Sequence, residues 1–237
     1  MSTLPTQFID LTDITLAYCE TGSGATLLFL HGNSESKRIF ARYQLDDFSD
    51  FHTLALDSRG HGQSQSRDLT LSILKMSQDV IRFCEAKGIQ KTHLVGYSDG
   101  GNIALLLAKH APHLFDRVVA IAPNYLASGT DEKSLRLFTR QAKFWKFLSQ
   151  LGLPTRKIVM RYDLMLNDIG IAAEELRSIQ TGMKILYAEE EMIKPEHIRE
   201  IADLVPNAEL EMIPGCTHMN ILQHPRTAAA IREYLAG

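Results

Sequence analysis

The pentapeptide Gly96-Tyr97-Ser98-Asp99-Gly100 lies between an apolar run, Thr92–Val95, and a stretch with almost no polar side chain, Ile103–Ala108. A serine flanked in this way suits a tight, strained turn from strand to helix that pushes its hydroxyl into the open. Glycines at 96 and 100 fit positions where neighbouring backbone passes too close for a Cβ. The plain alternative is a serine capping a helix after a glycine turn. Either way the chain needs a strand, a sharp turn and a buried helix in that order, which points to a sheet covered by helices.

The rest of the chain keeps that rhythm. Short runs rich in branched residues predict strands over Phe8–Leu11, Thr15–Glu20, Thr26–Leu30, His52–Asp57, His93–Tyr97, Val118–Ala122, Lys184–Ala188 and Glu209–Ile213. Helical spacing covers Leu71–Lys87, Gly101–His110, Glu132–Leu151, Glu174–Ile179, Pro195–Leu204 and Pro225–Leu235. Alternating strands and helices imply right-handed crossovers and a mostly parallel, eight-stranded α/β sheet with helices on both faces. The first two strands are joined by a short polar link and form an antiparallel hairpin at the edge. Residues 124–183 interrupt the rhythm with helical pattern and no strand. They are expected to form a small helical cap over the carboxyl ends of the strands, on a core made of 1–123 and 184–237.

Hydrolytic chemistry can be assigned residue by residue. Ser98 is the candidate nucleophile. Leu30-His31-Gly32-Asn33 follows an apolar strand, and the backbone amides of Asn33 and Asp99 are candidate donors to an oxyanion, with Gly32 allowing a sharp turn into the site. Asp57-Ser58-Arg59-Gly60-His61-Gly62-Gln63-Ser64 reads as a structural loop despite its histidine. The base is expected near the C-terminus: His218 follows the last strand, and the chain order serine, acid, histidine is the one such a sheet uses. The acid should follow the strand 184–188, where the chain reads Glu189-Glu190-Glu191 and holds no aspartate. Glu191 is the first candidate and Glu190 the second; a charge run of this kind can also be plain solvated surface. Asn124, at the end of the preceding strand, offers a neutral partner. His31, Tyr97, Asn124 and Trp145 are candidate substrate contacts.

Composition narrows the classes. With 237 residues, 45% hydrophobic and 22% charged, the chain suits one globular domain. A net charge of −3 argues against nucleic-acid binding. Cys19, Cys84 and Cys216 are isolated, which suits a reducing, cytoplasmic setting; Cys216 reads as packing. Met1 to Asp13 lacks the basic and apolar segments of a signal peptide, and no run approaches the ~20 apolar residues of a membrane span. No metal-ligand cluster, P-loop or dinucleotide fingerprint occurs, so no metal and no cofactor are expected.

Together these motifs resemble the α/β-hydrolase fold superfamily over nearly the whole chain, from about Phe8 to Leu235. His31-Gly32-Asn33 resembles its oxyanion loop, Gly60-His61-Gly62-Gln63-Ser64 its G-H-G-x-S loop, and Gly96–Gly101 the S-D-G-G form of its nucleophile elbow. Lys184–His197, Pro206-Asn207-Ala208 and Pro214–His218 resemble its acid-to-histidine stretch. Two departures stand out. The family usually reads G-x-x-D-x-I after the late strand, whereas here Glu191 takes the aspartate position after a loop one residue short, so a longer side chain would offset the shorter loop. The cap is also modest. The resemblance implies a cofactor-independent serine esterase acting on a small ester. A catalytically silent binding protein, acyl transfer to an alcohol or amine, and cleavage of amide, thioester or carbon–carbon bonds remain open. An aspartate-elbow activity such as dehalogenation is disfavoured by the serine.

Leu135, Phe138, Ala142 and Trp145 share one face of the long cap helix, widened by Phe144, Phe147, Leu148 and Leu151. This stripe reads as packing against the sheet or as an acyl pocket. Lys133, Arg136, Arg140 and Lys143 form a basic stripe, read as a solvated face or an attractor for an anionic substrate. Oligomeric state is left open.

Overall fold

The computed structural model describes residues 4–68 and 70–237, so residues 1–3 and Leu69 of the expected core lie outside the described residues. The core is built on two apolar runs, Thr26–Leu30 (β3) and Thr92–Tyr97 (β6), which pair in parallel at its centre. A strand apolar on both faces has to be covered on both, and here it is. Beyond β3 lies His52–Leu56 (β4), parallel to it, then Ile14–Thr21 (β2) and Gln7–Leu11 (β1), which run antiparallel as the expected edge hairpin. Beyond β6 lie Phe115–Ile121 (β7), Gly182–Glu190 (β8) and Ala208–Thr217 (β9), all parallel. A two-residue strand, Gln65–Ser66 (β5), pairs with β2 and makes nine strands where eight were expected. It is too short for any alternation to announce it.

The strand order β1-β2-β4-β3-β6-β7-β8-β9 reverses direction between β3 and β6. At such a reversal the loops leaving the two strands diverge and open a crevice at their carboxyl ends.

One face of the sheet carries Ile73–Ala86 (α1), Asp99–His110 (α2) and Pro195–Leu204 (α6); Pro225–Ala236 (α7) lies on the other. Two apolar clusters follow, one packed around Leu28, Leu94, Ile103 and Ile185, the other around Phe29, Phe40, Val95 and Ile231. α1 shows the local logic. Ser72 Oγ accepts from the Lys75 N–H at 3.1 Å and caps the start. Ile73, Met76, Val80, Phe83 and Cys84 form its buried stripe, and Gly88, at φ +67, takes the left-handed turn that ends it.

Residues between β7 and β8 hold Glu132–Gln150 (α3), Arg156–Met165 (α4) and Ala173–Leu176 (α5). α4 was not expected from the sequence. α3 and α4 pack on each other, whereas α5 packs on α2 and α6. The part of 124–183 that stands away from the sheet layers is therefore α3–α4. No helix among the described residues is long and apolar enough to cross a membrane.

Candidate active site

Ser98 caps α2 with φ 54 and ψ −117, a conformation that few side chains tolerate. Its N–H donates to Ile121 O at 2.8 Å, which pins the turn to β7. A Cβ on Gly96 would lie 2.1 Å from Gly100 O, and one on Gly100 would lie 2.1 Å from Leu30 O. Both glycines are therefore required by close backbone approach. Among the described residues, the non-glycine residues at positive φ are Ser34, Ser98 and Ala122, which follow β3, β6 and β7. Strain of this kind gathers at the carboxyl edge of the central strands.

His218 directly follows β9 and Glu191 directly follows β8, because both strands run further than the apolar pattern indicates. The His218 N–H donates to Glu190 O at 3.1 Å, and Tyr97 Oη donates to His218 O at 2.7 Å, so the backbone beneath the imidazole is held on two sides. His218 Nε2 lies 3.2 Å from Ser98 Oγ. His218 Nδ1 is hydrogen-bonded to Glu191 Oε1. That carboxylate oxygen also accepts from Met192 N–H at 2.8 Å and Ile193 N–H at 3.3 Å, and the Glu191 side chain is fully buried. Of the neighbouring acids, Glu189 accepts from Gly215 N–H at 2.8 Å and Glu190 is exposed. Neither of their carboxylates is hydrogen-bonded to the His218 imidazole, whose Nδ1 partner is Glu191. Asn124 lies elsewhere: it exchanges hydrogen bonds with Asn102, at 2.7 and 3.1 Å.

The loop after β3 presses against the serine. A Cβ on Gly32 would lie 3.1 Å from Ser98 Cβ and 3.2 Å from Tyr97 Cδ1. The sharp turn expected at Gly32 falls instead at Ser34, with φ 60; Gly32 is needed for closeness. Asp99 opens α2, so its N–H has no acceptor within the helix and is free for a ligand. The Asn33 side chain has a task the sequence did not reveal: its Nδ2 donates to Asp99 Oδ2 and to Arg161 O, both at 2.9 Å. Arg161, on α4, donates from Nη2 to Gly60 O at 2.6 Å. One residue thus ties α4 to both loops beside the serine.

The expected substrate contacts are corrected in part. His31 is buried and fully engaged. Its Nδ1 donates to Gly32 O at 2.7 Å and its Nε2 accepts from Ser58 N–H at 3.0 Å, which fixes a neutral tautomer. Burial lowers its pKa. Tyr97 is buried beneath His218. Trp145 packs edge-on to Phe144 in α3, at 5.4 Å, and lends its carbonyl to Thr155 Oγ1 at 3.0 Å. His61 is buried: Nδ1 donates to Arg59 O at 2.9 Å, Nε2 meets no hydrogen-bond partner among the described residues, and burial, with His31 beside it, pushes its pKa down to about 3. Asp57 locks the same loop. Its carboxylate holds the Lys37 Nζ, the Lys37 N–H and the Gln63 N–H, each at 2.7 Å. Cys216 is buried and donates to Ile213 O.

Two further carboxyls surround His218. Asp99 is buried, which pushes its pKa up to about 6 against the pull of Asn33 and His218. Glu35 accepts from Gly32 N–H at 3.1 Å and is also raised by burial, with His218 pulling the other way. Glu35 carried a faint signal, a charge inside a glycine loop after an apolar strand. Nothing in the sequence marks Asn102 or Arg161, since their roles arise only when distant segments meet.

A sequence profile of the alpha/beta hydrolase fold matches residues 25–165, and the chain belongs to that family. It is 38% identical over 119 residues to the dihydrolipoyllysine-residue acetyltransferase component of the acetoin cleaving system of Cupriavidus necator, covering 49% of this chain and 32% of that protein. It is 31% identical over 113 residues to 2-(acetamidomethylene)succinate hydrolase of Mesorhizobium japonicum, covering 48% of this chain and 41% of that protein. The chain thus aligns with less than half the length of these relatives. The solved structure of E-2-(acetamidomethylene)succinate hydrolase shares the fold, with a TM-score of 0.79 at 20% identity over 99% of this chain and 100% of that one.

Proposed function

We propose that the protein is a serine hydrolase that cleaves a small carboxylic ester through an acyl-enzyme on Ser98. The observation that carries this reading is the continuous line from Ser98 Oγ to His218 Nε2, at 3.2 Å, and from His218 Nδ1 to the buried Glu191 carboxylate. Ser98 Oγ attacks the acyl carbon while His218 Nε2 takes its proton. Glu191 keeps the Nδ1–H tautomer and stabilises the imidazolium that forms. The Asn33 and Asp99 amides receive the oxyanion, each worth roughly 3 kcal/mol in the transition state. His218 then protonates the leaving alcohol and activates the water that frees the acid.

A second reading concerns the acceptor. One relative is named as an acetyltransferase and the other as a hydrolase of an amide-bearing succinate, so the acyl group can pass to an alcohol or thiol, or come from an amide. A fluorophosphonate probe with an aryl-ester series tests the main reading. The probe labels the wild type and not Ser98→Ala, and Glu191→Gln lowers kcat by about 10³–10⁴. An unlabelled wild type leaves a silent binding protein as the better account, and an unchanged Glu191→Gln rate removes the acid from the mechanism. Adding ethanol and analysing products separates transfer from hydrolysis.

A further inference from the structure

Helix α3 keeps one face on the protein and turns the other outward. Ala142 is buried, with Leu135, Phe138 and Trp145 partly buried on the same side. The opposite side carries Leu137, Phe144, Phe147 and Leu151, at 41%, 55%, 56% and 63% exposure, and Leu153 follows the helix at 48%. The stripe expected to line the core or an acyl pocket is thus divided: Leu135, Phe138, Ala142 and Trp145 face inward, while Phe144, Phe147 and Leu151 point to water. Leu137, Phe144 and Leu151 recur every seven residues, so they form a ridge about 20 Å long. Lys133, Arg136, Arg140 and Lys143 stand on the same outward side, and the side chains of Lys133, Arg136, Leu137 and Arg140 border one shallow open groove. Lys133, Arg140 and Lys143 take part in no ion pair among the described residues, while Arg136 meets Glu132 at 3.1 Å. This cationic ridge belongs to a chain whose net charge is −3.

We propose that the outward face of α3 docks on an anionic lipid surface. Apolar side chains in contiguous array, flanked by cations along one helix, match a helix lying in the headgroup region. A second copy is disfavoured because the same cations would face one another, with Glu132 as the only acid in the helix to offset them. α3 packs on α4, the helix whose Arg161 carbonyl accepts from Asn33 Nδ2, so a docked α3 lies one helix away from the loop beside Ser98.

Sedimentation with lipid vesicles tests this on the full chain. The protein is expected to pellet with phosphatidylcholine–phosphatidylglycerol vesicles and to stay in solution with phosphatidylcholine alone. Binding weakens as salt shortens the screening length. Phe144→Ser/Phe147→Ser and Arg136→Glu/Arg140→Glu each weaken it by roughly tenfold or more, since one surface cation is worth roughly fivefold, while their thermal midpoints stay near the wild-type value. Failure to pellet with the anionic vesicles at low salt overturns the proposal. So does equal binding to both vesicle types, or unchanged binding by the phenylalanine variant. A wild-type dimer in solution that both variants dissociate assigns the face to a second copy instead.

Discussion

Asp99 opens α2 beside Ser98, and its carboxyl is buried against Asn33. Burial raises the folded pKa to about 6 from an ordinary 3.8, so the ionised form is disfavoured in the fold. The sign follows. Below about pH 4 the group is protonated in folded and unfolded chains and has no effect. As pH rises through 4 to 6 the unfolded chain ionises first, and above 6 the full penalty is present. At about 1.4 kcal/mol for each tenfold change in proton affinity, that penalty is about 3 kcal/mol. Asp99→Asn keeps an oxygen for Asn33 Nδ2 and removes the charge. Urea unfolding should show it more stable than wild type by about 1–3 kcal/mol at pH 8, with the gain gone at pH 4. An equal gain at both values would mean that the benefit comes from packing, not charge.

The joint between β6 and α2 depends on closeness. A Cβ on Gly100 meets Leu30 O at 2.1 Å and the Leu30 carbonyl carbon at 2.6 Å, both backbone atoms of the central strand β3. Relief would require moving α2 off the sheet, and α2 is buried along nearly its whole length. Gly88, at the end of α1, has φ +67 but nothing within 4 Å of a Cβ. Gly100→Ala should therefore cost more than about 3 kcal/mol or fail to accumulate as folded protein, and Gly88→Ala about 1 kcal/mol from backbone strain alone. Circular dichroism melts of the two variants check this, and similar midpoints would refute the distinction. The sequence predicted this joint well because strand, glycines and helix are contiguous. It also predicted α6 to its end residues, where Pro195 opens the helix. α4 escaped because Thr155 makes no side-chain cap and the segment buries only Leu164, so its periodicity is faint. The ends of β8 and β9 escaped because Glu189, Glu190 and Gly215 break the apolar pattern, although the backbone continues to pair there, with a register shift between Ala188 and Glu190. That extension places Glu191 against His218 with no intervening loop, a relation that depends on strand register and not on local spacing.

At the scale of the whole molecule, Arg59 joins three separate parts. Its Nε and Nη2 grip Asp79 of α1 at 2.8 Å each, Nη2 also reaches Asp13 in the β1–β2 turn at 2.8 Å, and Nη1 donates to Ser66 of β5 at 2.6 Å. The guanidinium is buried, so its fork geometry satisfies a charge that a lysine could not. Arg82 closes the ring by donating to Asp13 at 2.6 Å. Arg82 first, then Arg59, hold the Asp13 carboxyl down to about 2, against an ordinary 3.8. Here the sign is opposite to that of Asp99. Asp13 contributes stability that is complete above about pH 4 and is lost as pH falls through 2, because protonation removes the acceptor the two arginines need. Asp13→Asn should be less stable than wild type by roughly 1–2 kcal/mol at pH 6, with the gap closing toward pH 2. Taken together, the two carboxyls favour the folded chain most near pH 4, where Asp13 is largely ionised and the Asp99 penalty has barely begun, and their net contribution falls from there to pH 6. In Asp99→Asn the decline between pH 4 and 6 should disappear. In Asp13→Asn the loss below pH 4 should soften. Stability measured across pH 2 to 8 for both variants checks the pair, and a wild-type maximum well above pH 7 would contradict both assignments.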